Sequence, residues 1–322
     1  MTNLLVFREQ LKKFYSKYEL YITPLCKFLL ALVSLLVINS RIGYMSTLKN
    51  AAVVLILALL CSFLPINLTI VIAAAVTLAH LYAFSVECAI VALAVFLLLF
   101  ILYFRFSPKD TLAVLLTPIC FVLKIPYVMP IAVGLIGTPA SSVAVASGVI
   151  VYYMLAGMNE SASVLNTFDA DGMVDKFRYC IDTLMGNRAM MVAIVAFAAT
   201  VLVVWFIRHL SIDHAWTIAM ITGALLNILI LLFGDLMYST DISIIGLILG
   251  SIVSVLLVKV LQFFVFNVDY SRTEMVQFED DEYYYYVKAV PKNTVATPEK
   301  RVKTIRVPEK AVNRSKRDTG RQ

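Results

Sequence analysis

The sequence predicts an all-α fold, a polytopic membrane helix bundle of about 8–10 membrane segments. Short broken or re-entrant helices belong to that bundle, and a small cytoplasmic β-hairpin tail follows it. Three observations carry this reading. The 37 residues from Asn50 to Val86 contain no Lys, Arg, Asp or Glu. Hydrophobic residues make up 61% of the 322-residue chain and charged ones only 15%, with a mean hydropathy of +0.87. The net charge of +6 is confined to Glu299–Gln322, which holds nine basic and three acidic residues. The body is therefore neutral and apolar, and a water-soluble domain of this composition would have no polar surface to present.

Residues 1–19 read as an amphipathic interfacial helix. Leu4, Phe7, Leu11, Phe14 and Tyr18 recur at helical spacing, with Arg8, Lys12, Lys13 and Lys17 elsewhere around it. No uninterrupted apolar core occurs there, so a cleavable signal peptide is not expected. Residues 20–266 form the transmembrane helical domain. Its first spans run from Leu20 to Ile38, Ala51 to Leu64, Ile66 to Phe84 and Val86 to Phe104.

The next stretch is interrupted. Thr111–Leu123 covers only about 20 Å as a helix, against the ~30 Å of a bilayer core. Tyr127–Ile136 is shorter still. Pro118, Pro126, Pro130, Gly134, Gly137 and Pro139 crowd this region. Later spans are Ala140–Ala156, Met190–Ile207, Ala215–Phe233 and Ile242–Phe264. Between the first two of these lies a polar loop, 157–188, in which Phe168, Val174, Phe177 and Ile181 mark an amphipathic helix. Residues 267–292 alternate acidic and aromatic and predict a β-hairpin with strands at Thr273–Phe278 and Tyr283–Val290. Residues 293–322 have the composition of a disordered basic tail.

Positive residues near span ends favour the cytoplasm. That rule places both termini in the cytoplasm of a cell-membrane protein, which requires an even number of crossings. Two thin crossings at 111–136 give about ten, and a re-entrant hairpin gives about eight. Loop 157–188 then lies outside. Arg41 and Lys49 are the misfits, since they too fall outside.

The broken region is the candidate functional site. Interrupted helices survive in lipid only where protein or a water-filled cavity satisfies their backbone, and transporters use such breaks to bind substrate. Pro118, Lys124, Pro126, Pro130, Gly134, Gly137 and Ser141 are the candidate substrate-binding residues. The competing interpretation is that the prolines kink packed helices while Lys124 snorkels to a headgroup. His80 and Glu87, seven residues apart, would share one face of a continuous helix and are candidates for proton coupling; the competing interpretation puts Glu87 in the tight turn between two spans, where water reaches it. Ala144 and Gly148, with Gly246 and Gly250, are small residues at four-residue spacing and mark helix packing, within the chain or in a homo-oligomer. Asn227, inside an apolar span, is expected to hydrogen-bond to another helix.

Tyr283, Tyr284, Tyr285 and Tyr286 are candidate contacts for a cytoplasmic protein partner. The basic tail would be drawn to anionic lipid headgroups rather than nucleic acid. Cys26, Cys61, Cys88, Cys120 and Cys180 form no CxxC pair and read as apolar filler, so neither a disulfide framework nor a zinc site is expected. GxSxG, HExxH and Walker A motifs are absent. An enzyme with a cofactor or metal is therefore not expected.

The segment Val276-Gln-Phe-Glu-Asp-Asp-Glu-Tyr-Tyr-Tyr-Tyr-Val-Lys-Ala-Val-Pro-Lys292, directly after a last span, resembles one in uncharacterised bacterial multipass membrane proteins. Some of these are labelled ABC-transporter-permease-like. The resemblance implies a bacterial cytoplasmic-membrane protein and brings no site residues with it. Transporter or permease is the leading expectation, and a membrane scaffold acting through the tail is the alternative.

Overall fold

A computed structural model describes residues 2–160, 173–240, 243–265 and 274–289. The polar stretch 161–172 and the basic tail 293–322 lie outside the described residues. The chain forms α1 (Thr2–Ile42), the single turn α2 (Ser46–Lys49), α3 (Ala51–Phe63), α4 (Ile66–Phe84), α5 (Val86–Phe106), α6 (Thr111–Val122) and α7 (Val128–Ile136). It continues as α8 (Ser141–Glu160), α9 (Met173–Met185), α10 (Arg188–Arg208), α11 (Ala215–Tyr238) and α12 (Ile244–Val265). A two-stranded antiparallel sheet, β1 (Glu274–Glu279) and β2 (Tyr284–Ala289), ends the described chain.

Local chemistry sets the boundaries. The Asn50 side chain accepts from the Ala52 amide and starts α3. Pro65 separates α3 from α4. Ser85, in extended conformation, ends α4 and caps α5. The Asn187 side chain accepts from the Met190 amide and starts α10. Each such cap satisfies an amide that the first helical turn leaves unpaired.

Among the described residues, seven helices are long and apolar enough to cross a membrane. The contacts show which way each one runs. The Ser62 hydroxyl donates to the Pro24 carbonyl and Lys27 Nζ to the Leu64 carbonyl, while Asn39 Nδ2 donates to Leu48. Thus α3 runs back along α1, from the α1 C-terminus to the level of Pro24. We call the level of Pro24 and Pro65 the proximal face, and the level of Ile42 the distal face. Lys259 Nζ donates to Thr217 Oγ1, which sets the α11 start beside the α12 end. Arg208 packs over Trp216 and Arg188 over Tyr238. The seven long helices and the short α3 alternate in direction, and both described ends of the bundle lie at the proximal face.

Region 111–136 turns back on itself. On α6, Val114 and Thr117 face Gly148 of α8, and Phe121 stacks on Tyr152. The two helices ascend together from the proximal face. On α7, Tyr127 meets Phe197 of α10, and Gly134 faces Val201 and Val204. These two descend together. The pair α6–α7 is therefore a helical hairpin that returns to the face it left. Its 12-residue first arm rises about 18 Å, whereas the 19-residue α4 rises about 28 Å. The tip stops some 10 Å short of the distal face by that difference.

The interfacial helix does not stand apart. It is continuous with the first span in α1 and is bent at Tyr18, the one non-helical residue within it (φ −115°, ψ 19°). Its apolar stripe, Phe7, Leu11, Phe14 and Tyr18, is exposed, while Arg8 is buried against Phe263. The predicted helix in the polar loop is present as α9, and its only buried residue is Cys180.

The β-hairpin matches its predicted strands to within a residue or two. Asp280 builds its turn. One carboxylate oxygen accepts from the Glu282 and Tyr283 amides, and the other accepts from the Tyr285 hydroxyl. The Glu282 amide, then the Tyr283 amide and the Tyr285 hydroxyl, hold the Asp280 carboxyl below its ordinary pKa. A depressed pKa stabilises the folded turn above the usual carboxylate range, and that contribution disappears as pH falls through the lowered value. Hairpin order followed by NMR amide shifts is therefore constant from neutral pH down to the carboxylate range and declines below it. Asp280→Asn removes that acid-side transition, and a transition that survives the substitution contradicts the assignment.

Candidate functional site

The hairpin tip closes on itself. After Val122, Leu123 caps α6 and Lys124 adopts left-handed backbone (φ 60°). The Lys124 amide donates to the Phe121 carbonyl and the Ile125 amide to the Cys120 carbonyl. This is a Schellman motif, and it uses the carbonyls that a broken helix would otherwise aim at a ligand. Glycine is the usual occupant of such a position because a Cβ is crowded there. Lys124→Gly accordingly raises stability by about 0.5–1 kcal/mol, and Lys124→Val lowers it. Thermal unfolding in detergent reads both, and the opposite order would contradict the backbone assignment.

The structure distributes the other candidates among packing and capping. Pro118, inside α6, has no N–H for the Val114 carbonyl. That carbonyl instead faces Gly148, where a Cβ would lie 3.0 Å from it and 2.5 Å from Thr117 Cβ. Pro126 is in the tip turn. Pro130 sits in the first turn of α7, where a missing N–H costs no helical bond. A Cβ at Gly134 would sit 2.7 Å from Val204 Cβ, and one at Gly137 2.6 Å from Ser141 Oγ. Ser141 Oγ accepts from the Thr138 amide and anchors the entry to α8.

Lys124 is exposed at the tip. Above it, the Tyr152 ring that stacks on Phe121 carries the Arg41 guanidinium 5.8 Å from its centroid. The distal misfit Arg41 thus covers the hairpin end through a cation–π contact. Between α1, α4, α5, α6 and α8 lies a cavity of about 50 Å³ lined by Ser34, Ile70, Thr77, Phe96, Pro118 and Leu155. The Ser34 and Thr77 hydroxyls donate to carbonyls of their own helices. The remaining lining is apolar.

Unpartnered polar atoms sit on the other side of the hairpin. Both amide atoms of Asn227 on α11, and the hydroxyl of Ser251 on α12, are buried without a hydrogen bond. The hydrogen bond expected from Asn227 to another helix is not present. Gly223 faces Thr200 and Val204 of α10, which places Asn227 one turn further along at the level of Phe197. Counting from the Lys259–Thr217 bond places Ser251 at that same depth. Tyr127, at the base of the tip, packs on Phe197 and lies 2.9 Å from where a Gly250 Cβ would be. The hairpin tip, Asn227 and Ser251 thus share one depth. A buried amide without partners costs about 1–3 kcal/mol per unsatisfied group, so it calls for a role.

His80 and Glu87 are not on one helix, because Ser85 separates α4 from α5. The His80 side chain is fully buried, with Nδ1 accepting from the Met45 amide at 3.1 Å and Nε2 donating to Asn39 Oδ1 at 2.7 Å. Both ring nitrogens are in use, which fixes the neutral tautomer with the proton on Nε2. The Glu87 carboxylate accepts from the Ser85 hydroxyl at 2.6 Å in the first turn of α5.

Of the packing stripes, Ala144 is buried in the core beside Gly148, and Gly250 contacts Tyr127. A Cβ on Gly246 would meet only Ser243 of the adjoining chain. In the hairpin, Tyr283, Tyr284 and Tyr286 are exposed, and Tyr285 stacks on Phe278 with ring centroids 4.9 Å apart. Among the described residues no cluster of three metal-ligating side chains occurs.

Two features escaped sequence reasoning. Cys88 and Cys180 lie 92 residues apart yet meet, and no spacing rule links them. Asn227 carried a visible signal, a lone amide in an apolar span, but its lack of a partner depends on packing. The chain matches no protein-family model, no curated protein and no solved structure.

Proposed function

We propose that this multipass membrane protein is a transporter- or permease-type carrier whose working element is the re-entrant hairpin α6–α7. The observation that supports it is the depth shared by the hairpin tip and the unpartnered Asn227 amide and Ser251 hydroxyl. Buried polar groups without a partner in a membrane bundle are places where a solute or ion could supply the missing hydrogen bonds. The path runs along the junction of α7, α10, α11 and α12. Arg105, Lys109, Arg208 and Lys259 lie towards the proximal face, so the positive-inside rule puts that face and both termini in the cytoplasm of a cell membrane.

The test uses the purified full-length protein in liposomes. Asn227→Cys and Ser251→Cys react with a small water-soluble maleimide if a carrier cycle opens the junction to water. Ala92→Cys, equally buried but in the apolar core away from that junction, is the slow control. Reaction of all three at the control rate would remove the carrier reading.

A second reading, a membrane scaffold, is favoured by the apolar lining of the α6 cavity and by the hairpin. One face of that hairpin presents Tyr284 and Tyr286, which are 67% and 78% exposed. Deleting residues 270–322 separates the two readings. A scaffold loses partner recruitment, whereas a carrier keeps the cysteine accessibility of its core.

A further inference from the structure

We propose that Cys88 and Cys180 form an intrachain disulfide at the distal face, tying α9 to the α4–α5 turn. Their sulfurs lie 2.7 Å apart, closer than two unbonded sulfur atoms pack. Cys88 is fully buried and Cys180 is 4% exposed. Cys180 is the one buried residue of α9, and Cys88 sits in the first turn of α5, beside the Ser85 cap. The remaining thiols, Cys26, Cys61 and Cys120, lie on α1, α3 and α6. The pair is therefore selected by the fold out of five cysteines.

The site's surroundings fit a covalent anchor. α9 is amphipathic and rests on the distal ends of α5 and α8. Its Phe177, Tyr179 and Leu184 are only partly buried, and Gly157 faces Thr183. A helix lying across the bundle end with so little buried surface gains more from a covalent tie than a spanning helix does.

The chemistry balances as thiol–disulfide exchange. The oxidant is a protein dithiol–disulfide oxidoreductase of the extracytoplasmic space. One cysteine thiolate attacks the oxidant's disulfide, and a mixed disulfide forms as the oxidant's first thiolate leaves. The second cysteine then attacks the mixed disulfide. The Cys88–Cys180 bond forms, the oxidant departs as a dithiol, and the two thiol protons end on its sulfurs. Both cysteines are buried once α9 is docked, so exchange takes place during assembly and the finished bond is shielded from reductants. Formation by that oxidant requires the distal face to be on the oxidising side, and in this respect the choice of oxidant, though not the bond itself, rests on the orientation given above.

Two measurements on the full-length protein in native membranes test it. Denaturation in SDS with a maleimide–polyethylene glycol reports free thiols without any substitution. The disulfide predicts labelling of Cys26, Cys61 and Cys120 alone before reduction and of all five cysteines after it. Peptide mass spectrometry then finds Cys88 and Cys180 in one linked species. Separately, Thr47→Cys, an exposed distal residue, is treated with a membrane-impermeant maleimide in intact cells. Five free thiols with Thr47→Cys labelled from outside overturn the disulfide and leave the orientation standing. Five free thiols with Thr47→Cys protected overturn both. A linked pair with Thr47→Cys protected upholds the bond and overturns the orientation.

Discussion

His80→Ala destabilises the folded protein by about 3 kcal/mol, as unfolding in detergent by heat or denaturant will read. The imidazole is fully buried where the ends of α1 and α4 meet the 43–50 turn. It accepts from the Met45 amide and donates to Asn39 Oδ1, and Asn39 in turn donates to the Leu48 carbonyl. Alanine removes both partners at once and leaves a void. Two partly buried polar groups then lack bonds, at up to about 1–3 kcal/mol each before water or relaxation satisfies them. His80→Gln retains a donor for Asn39 and loses less. A loss under about 0.5 kcal/mol for the alanine variant, the range of an ordinary surface change, would show that the network does not hold this corner. The same geometry argues against proton coupling through His80. A proton added at Nδ1 would face the Met45 N–H and break that bond.

Gly148→Leu is expected to unseat the α6–α7 hairpin. Even a Cβ at this position would lie 2.5 Å from Thr117 Cβ and 3.0 Å from the Val114 carbonyl. The backbone of α8 approaches α6 this closely because residue 148 has no side chain. That approach covers the carbonyl that Pro118 leaves without its helical donor. Inserted bulk costs about 1–3 kcal/mol in a packed core, and the exposed carbonyl adds to it. The structural readout is cross-linking. Phe121 and Tyr152 stack with centroids 4.4 Å apart, so Phe121→Cys with Tyr152→Cys cross-links in the parent. Adding Gly148→Leu abolishes the cross-link, whereas Gly246→Leu, which meets no neighbouring helix, preserves it. An intact cross-link and an unchanged Tm in Gly148→Leu would refute the seating of α6 on α8.

Much of the architecture was readable without coordinates because it depends on one-dimensional signals. Apolar run length measured against bilayer thickness defined α4 at its observed limits and found α3, α5, α10 and α11 within a few residues. Prolines and charges marked both arms of the hairpin, and alternation around an acidic turn marked β1 and β2. The break at Ser85 was legible as the boundary between the Ile66–Phe84 and Val86–Phe104 spans, so His80 and Glu87 could share a helix face only if the chain ran on through it. The extended Ser85 that caps α5 shows that it does not. The candidate site was legible in position but not in chemistry. The sequence shows that the chain is interrupted at Lys124–Tyr127. It does not show that a Schellman motif consumes the freed carbonyls there.

The sequence by itself determined the membrane class, the order of the spans and the place of the interruption, because partitioning between lipid and water acts on each segment locally. The tertiary structure alone decided that α6 seats on α8 and α7 on α10, that Asn227 and Ser251 lack partners at the depth of the hairpin tip, and that Cys88 meets Cys180. These depend on which helix neighbours which. Helices surrounded by lipid are sorted by close packing of small residues and by a few hydrogen bonds, and a four-residue stripe such as Ala144 and Gly148 marks a packing face without naming its partner.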